Sequence, residues 1–439
     1  MATRDLAPRI GRHNVDATAI LTLYIVVLMG VPAALRAAAL GTAGSPASML
    51  ALATFLWWTW YHLQRTDTQD SGIHSVRNAV LVLLVVVLAA YVHAMASPLP
   101  VAELTPADSG MIEMIGLAGV ALVAHDGITS LDRHRTVVRR LVLAVGLVSV
   151  LGVLQYVTKE PFVDRITIPG LTPGNAEWTL AVRSGLARPS GTSTHPIEYG
   201  VVLTMCLPLA VVYAMHAPRR RWLYQVLLGA IGFAIFLSLS RSAILCGGTA
   251  LLALAATWSN RARLTAAAAL LALFTSAYVM VPGLLGTLTK LFTGLSNDTS
   301  VSSRTAAYDV AFQFVDRSPV LGRGYGTFLP DYWILDNQYL LLLIEVGVVG
   351  LLALLALVAA AVVAAGRSVR LSDDDFDREI ARGLRAGVLA GAMGLAFFDT
   401  FSFPQSAGTL FLMIGLSGAL RRLLAEAAEA DVEKVTARA

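Results

Sequence analysis

"GFAIFLSLSRSAILCGG" occupies residues 232–248. Arg241 stands there between two apolar runs, each long enough on its own side to be buried. A guanidinium keeps its charge at any pH the protein meets, so burial cannot discharge it. The stretch reads as a tight helical hairpin that holds one fixed cation at its tip, flanked by Ser240 and Ser242.

The surrounding chain says what kind of solvent that hairpin meets. Of 439 residues, 56% are hydrophobic and only 14% are charged, with a mean hydropathy of +0.67. Soluble domains carry about 25% charged residues, so the composition excludes an ordinary soluble protein. Twelve apolar stretches recur, each roughly 16 to 25 residues long, which is what a ~30 Å hydrocarbon core requires. They fall near 17–35, 46–63, 78–96, 110–125, 141–157, 196–214, 222–240, 242–258, 264–281, 338–364, 386–403 and 405–420. The first is too long for a cleaved leader and eleven more follow, so it reads as an uncleaved helix. The predicted fold is all-α: a polytopic integral membrane protein with about 12 transmembrane helices.

Orientation follows from the basic residues, which favour cytoplasmic segments. With both termini in the cytoplasm, 23 of the 33 lysines and arginines lie inside, anchored by "DRHRTVVRR" (132–140) and "RRRW" (219–222). The two long polar loops, 158–195 and 282–337, then share the outer side. The chain divides into helices 1–5 (1–157), a region of two outer loops and helices 6–12 (158–420), and a cytoplasmic tail (421–439). Within the second loop, "LLGTLTKLFTGL" (284–295) has one apolar face, as in a helix lying in the interface. "SSRTAAYDVAFQFVDRSP" (302–319) reads as a second short helix ended by Ser318-Pro319. Together they predict a lid of short helices on the outer face.

Other features carry less. Cys206 and Cys246 lie in apolar runs and form neither a disulfide framework nor a metal-ligand spacing. The net charge of +4 is almost all arginine in a chain rich in alanine, leucine and valine, a skew of codon composition that identifies no nucleic acid partner. "LGRGYGTF" (321–328) follows no strand and opens no clear helix, so it is a turn and no dinucleotide fingerprint.

Four polar clusters converge on the outer face. "ARPSGTSTHPIEYG" (187–200) places Arg188 and His195 where the first loop enters the sixth span, with Pro196 suited to the first helical position. Arg241 is the second cluster. "SSRTAAYDVAFQFVDRSPVLGRGYGTF" (302–328) contributes Arg304, and "LDNQYLLLLIEVGVVG" (335–350) contributes Asp336 and Asn337. Each admits a plain reading beside a functional one: His195 and Asp336 as helix caps, the arginines as snorkelling anchors. Fixed arginines at membrane depth mark functional sites more often than not.

In order and placement the four clusters resemble the O-antigen ligase and polymerase family of bacterial cell-surface glycan enzymes. The resemblance runs from about 185 to 420. It rests on Arg-Pro-Ser-Gly with His195-Pro196, Ser-Arg-Ser at 240–242, the stretch from Arg304 to the glycine-rich turn, and Asn337 with Gly347 and Gly350. It implies a GT-C-like membrane glycosyltransferase of the bacterial cytoplasmic (inner) membrane. The enzyme moves a glycan from a polyprenyl-pyrophosphate donor to a glycan or lipid-linked acceptor hydroxyl on the outer face, with membrane lipid as its setting and no cofactor. Arg188, Arg241 and Arg304 match the donor-pyrophosphate arginines, with His195 and Asn337 in support. Asp336 stands where the family has a histidine, in the place of the base.

Chemistry gives the pattern a reason. Breaking a sugar–phosphate bond grows negative charge on pyrophosphate oxygens, which planar arginine forks match where water is scarce. A carboxylate within reach can take the acceptor proton. No carboxylate cluster for a metal is evident, so a metal-independent transfer is expected, and the resemblance implies an inverting one. Replacement of the histidine by Asp336 favours a polysaccharide polymerase over an O-antigen ligase. A transporter is the rival class, but the arginines gather at the outer surface instead of the midplane, where transporter charges sit.

Overall fold

The computed structural model describes residues 16–64, 74–173, 178–293 and 299–436. Each apolar stretch forms a helix, because a backbone in hydrocarbon must satisfy its own hydrogen bonds. In chain order these are α1 (Ala17–Gly30), α2 (Pro46–Leu63), α3 (Ser75–Met95), α4 (Val101–Gly127) and α5 (Leu131–Thr158). Then follow α6 (Pro196–His216), α7 (Arg221–Leu237), α8 (Arg241–Ala255) and α9 (Asn260–Met280). The second long loop holds α10 (Leu284–Thr293) and α11 (Thr299–Val315), and α12 (Gln338–Glu345), α13 (Gly347–Leu371), α14 (Asp375–Gly394) and α15 (Pro404–Thr436) complete the chain.

Among the described residues seven helices are long and apolar enough to cross a membrane: α3, α4, α5, α6, α9, α13 and α15. A bent pair, residues 38–44 with α2 at 72°, makes an eighth if it is one span. The expected twelve also needs α1, α7, α8 and α14. The first three are apolar but only 14, 17 and 15 residues long. At 1.5 Å per residue they reach about 20–26 Å, short of a ~30 Å core. Acidic and basic residues fill the first half of α14. The protein is an integral membrane protein, and the count of twelve is not established.

Other boundaries differ from the sequence reading. The tenth stretch breaks at Val346–Gly347 into α12 and α13, where Gly347 takes φ 70. Helix α15 continues to Thr436, so the expected tail from 421 is mostly helix. The first long loop contains a two-stranded antiparallel hairpin, β1 (Ala181–Arg183) and β2 (Leu186–Arg188), an addition to the all-α plan.

Helices α6 and α15 are almost wholly enclosed, and α9 lies at the periphery. Around α6 pack α7, α8 and α14, while α15 lies against α4 and α13. The hairpin and α10–α11 gather at one end, here the loop end. The opposite end is closed by ion pairs. There Arg135 of α5 grips Asp377 of α14 with two parallel bonds, Nε to Oδ1 at 2.7 Å and Nη2 to Oδ2 at 2.8 Å, and reaches Asp374 at 3.0 Å.

Asp377 is 1% exposed, and that fork offsets its burial. Arg135→Ala leaves a buried, unpaired carboxylate, and a loss of about 3–5 kcal/mol is expected. The melting temperature of the detergent-solubilised protein should drop accordingly. Arg135→Lys, with the charge but without the fork, should recover only part of it.

Candidate functional site at the loop end

The hairpin turns through Ser184 and Gly185 at φ 51 and 79, the two positive φ angles of a tight two-residue hairpin turn. It delivers Arg188 to the chain between α7 and α8. Arg188 is 8% exposed, and its Nε donates to the Ser238 carbonyl at 2.8 Å. Arg183 Nη1 lies 3.5 Å from the next carbonyl, that of Leu239. Leu239 itself sits at φ 47, and the chain then enters α8. Ser240 caps this helix, its Oγ accepting from the Ala243 N–H at 3.3 Å. Arg241 therefore occupies the first helical position, within three residues of both carbonyls.

Among the described residues Arg188 has no acidic partner. Its Nη2 is buried and finds no acceptor among the described residues. Burial, then the charge of Arg183, pull the guanidinium down to about 10, still protonated at neutral pH. Burying a charge beside a neutral carbonyl and another cation is costly.

His195 supplies a neutral donor beside it. Its Nδ1 accepts from the Ile197 N–H at 3.1 Å and so caps α6, with Pro196 at the first helical position. An Nδ1 that accepts carries no proton, which leaves the proton of the neutral ring on Nε2. Burial first, and the Arg188 charge second, push the imidazole from 6.5 down to about 4. The N-termini of α6 and α8, each with positive partial charge, meet here.

The loop 190–198 is held by bonds distant in sequence. Glu198 accepts from the Thr194 N–H and hydroxyl, both at 2.8 Å, and from the Gln405 N–H at 2.8 Å. Gln405 Nε2 donates to Thr192 Oγ1 at 2.9 Å, and Gln155 brackets Gly191 with bonds of 2.8 and 2.9 Å. Thus the starts of α6 and α15 are one unit.

Asp336 does not cap α12. Asn337 does, its Oδ1 accepting from the Tyr339 and Leu340 N–H groups at 3.0 and 3.2 Å. Asp336 precedes it at φ 45, a left-handed conformation that aspartate and asparagine tolerate. The adjoining Gln338 N–H donates to the Leu395 carbonyl at 2.8 Å, and its Oε1 accepts from the Phe401 N–H at 2.8 Å. Asp336 thereby stands by the 395–403 segment, close enough for its charge to act on Asp399, which Ser402 hydrogen-bonds. Arg304 lies in α11, but its side chain falls outside the described residues.

The glycine-rich turn does not cradle a ligand. Added to Gly326, at φ 77, a Cβ would lie 2.6 Å from the Pro106 carbonyl oxygen, so the turn packs on α4. Arg323 is paired with Glu103 of α4 at 2.5 and 2.6 Å, and the Tyr332 hydroxyl donates to the same carboxylate at 2.5 Å. These contacts fasten the lid. Sequence reasoning missed Arg183, Asp399 and Glu103. Only Arg183 left a signal, the Ser184-Gly185 turn between "AVR" and "LAR".

The loop end thus gathers Arg183, Arg188 and Arg241 in an integral membrane protein. Residues 225–355 match the family model described as O-Antigen ligase, which bears out the resemblance to the O-antigen ligase and polymerase family. The matched segment holds Arg241, Arg304 and Asp336, while Arg188 and His195 precede it. The match supports a membrane enzyme that transfers glycan. No curated protein matches the chain.

The titration of His195 is accessible to experiment. Between pH 6.5 and 4 the unfolded chain binds a proton that the folded site resists, so wild-type stability falls as pH drops through that window. His195→Asn keeps a capping side chain but removes the titration. Its melting temperature, relative to wild type, should rise steadily from pH 6.5 to 4.

Proposed function

We propose that the protein is a membrane glycosyltransferase that takes its glycan from a polyprenyl-pyrophosphate donor. The observation that carries this reading is Arg188: a buried guanidinium with an unmet Nη2 donor, beside Arg183, neutral His195 and the arginine-bearing start of α8. An anion of high charge density suits that unmet donor amid these positive groups. A diphosphate ester anchored in the membrane fits the site's place at the end of a helical bundle.

Transfer requires a new bond between the acceptor oxygen and the anomeric carbon, while the bond from that carbon to the phosphate oxygen breaks. The electron pair leaves with the lipid diphosphate, where Arg188, Arg241 and the helix N-termini stabilise it. The acceptor proton goes to Asp336, which its left-handed backbone and the Gln338 contacts hold at the same end. Attack opposite the leaving group inverts the anomeric centre without a metal. Arg304 on α11 would add a further donor from the lid.

Carboxylate in place of histidine favours a polymerase, whose acceptor is a second lipid-linked glycan. The basic residues favour an inner-membrane protein of twelve spans in a GT-C-like arrangement, with cytoplasmic termini and the site on the outer face.

Nanodisc-embedded protein with a lipid-linked glycan donor tests the proposal. A ladder of longer lipid-linked glycans identifies a polymerase, and glycan appearing on lipid A-core identifies a ligase. Arg188→Ala should lower turnover about 10²–10³-fold, as loss of one preorganised oxyanion donor does. Unchanged turnover in that variant would refute the arginine site. Asp336→Asn should keep the fold, since asparagine accepts the same φ, and lose about 10²–10⁴-fold of turnover. Full activity in Asp336→Asn would remove Asp336 from the chemistry. EDTA should leave the wild-type rate unchanged.

A further inference from the structure

Arginines at the end opposite the loops are not all matched by acids. Arg422 of α15 is matched: its Nη1 bonds Glu426 at 2.8 Å and its Nε donates to the His125 carbonyl at 3.1 Å. Arg382 of α14 likewise pairs with Glu379. The adjoining Arg421 has a neutral partner instead, the Ser75 hydroxyl at the start of α3, to which its Nη1 donates at 3.1 Å. Arg367, exposed on α13, stands close enough for its charge to act on Arg421. Among the described residues neither Arg367 nor Arg421 has an acidic partner. Helices α3, α13 and α15 pack on one another, so the two like charges lie on adjoining helices.

The depth of this pair is set by bonds to the end of α2. Trp58 donates from Nε1 to Asp126 at 2.9 Å, and Arg77, in the first turn of α3, reaches the same carboxylate at 3.9 Å. Ser75 begins that turn. Trp60 and Tyr61 follow Trp58 and are 63% and 54% exposed. Tryptophan and tyrosine side chains gather where a bilayer meets water, at the level of its headgroups. The route from Trp58 through Asp126 and Arg77 to Ser75 therefore sets Arg421 at headgroup level.

The anion of that layer is the lipid phosphate, whose oxygens the planar guanidinium fork matches. A snorkelling arginine reaches out for water, whereas the Ser75 bond holds Arg421 back beside Arg367. Two arginines without a carboxylate between them favour a phosphodiester that brings no ammonium of its own, because an ammonium would add a third positive charge. We propose that Arg367 and Arg421 form a binding site for one anionic phospholipid, whose phosphodiester they clamp between α13 and α15 beside the start of α3. The site lies at the other end of the bundle from Arg188 and is independent of the donor reading.

Detergent-solubilised full-length protein is titrated with phosphatidylglycerol and, separately, with phosphatidylcholine, and bound lipid is counted by native mass spectrometry. Wild type should hold one phosphatidylglycerol roughly tenfold more tightly than phosphatidylcholine, as two cations near an anionic headgroup allow. Arg367→Gln changes an exposed, unbonded side chain, keeps the fold and should weaken that lipid about fivefold, the share of one such cation. Arg421→Gln retains an N–H donor for Ser75 and should do the same, while Arg421→Lys keeps part of the affinity. Arg219→Gln, in the exposed α6–α7 link at the same end, should change nothing. Unchanged affinity in either Arg367→Gln or Arg421→Gln, or equal weakening in Arg219→Gln, overturns the inference. Inorganic phosphate should not compete with the lipid; full displacement by it would make this a site for free phosphate and overturn the lipid assignment.

Discussion

The loop end is organised by one constraint: the Arg188 guanidinium is buried and cannot shed its charge. Its Nε bond to the Ser238 carbonyl joins the β1–β2 hairpin to the α7–α8 junction. That junction is also where Ser240 starts α8 and sets Arg241 at its first turn. His195, at the start of α6, is held neutral by its burial and by the same charge. Hairpin, two helix starts and two further arginines thus take their places around a cation that lacks a carboxylate among the described residues.

Two other arginines of the bundle are matched differently. At the opposite end Arg135 is neutralised by Asp377 and Asp374, and at the lid Arg323 is neutralised by Glu103. In the Arg135–Asp377 and Arg323–Glu103 pairs the carboxylate is buried and its arginine partly exposed. Arg188 has a neutral carbonyl and a like charge instead.

A site at membrane depth also needs a frame with few loose polar groups. Glu198, Gln405, Thr192 and Gln155 provide it for the first loop, and Gln338 and Asn337 for the start of α12. These bonds run between the beginnings of α6, α12 and α15. They hold the cation cluster and the Asp336–Asp399 carboxylates on one scaffold, and Glu103 fastens the lid.

Hydropathy was enough to determine that the chain is helical and membrane-embedded, because apolar length is a local property that the bilayer reads directly. Local chemistry likewise placed Pro196 at a helix start, Arg241 at the α7–α8 tip and the two short helices of the second loop. Adjacent cap candidates were not separable in the same way: Asp336 and Asn337 both suit a cap, and only the backbone path, turning left-handed at Asp336, gave the role to Asn337. The bonds from Arg323 to Glu103 and from Gln405 to Glu198 span 220 and 207 residues of chain, so no window of sequence contains either. Arg183 needed the strand register to bring it onto the face of Arg188. Tertiary structure alone made those decisions, because a buried charge is matched by whatever the packed helices bring within a few ångströms of it, whatever its distance along the chain.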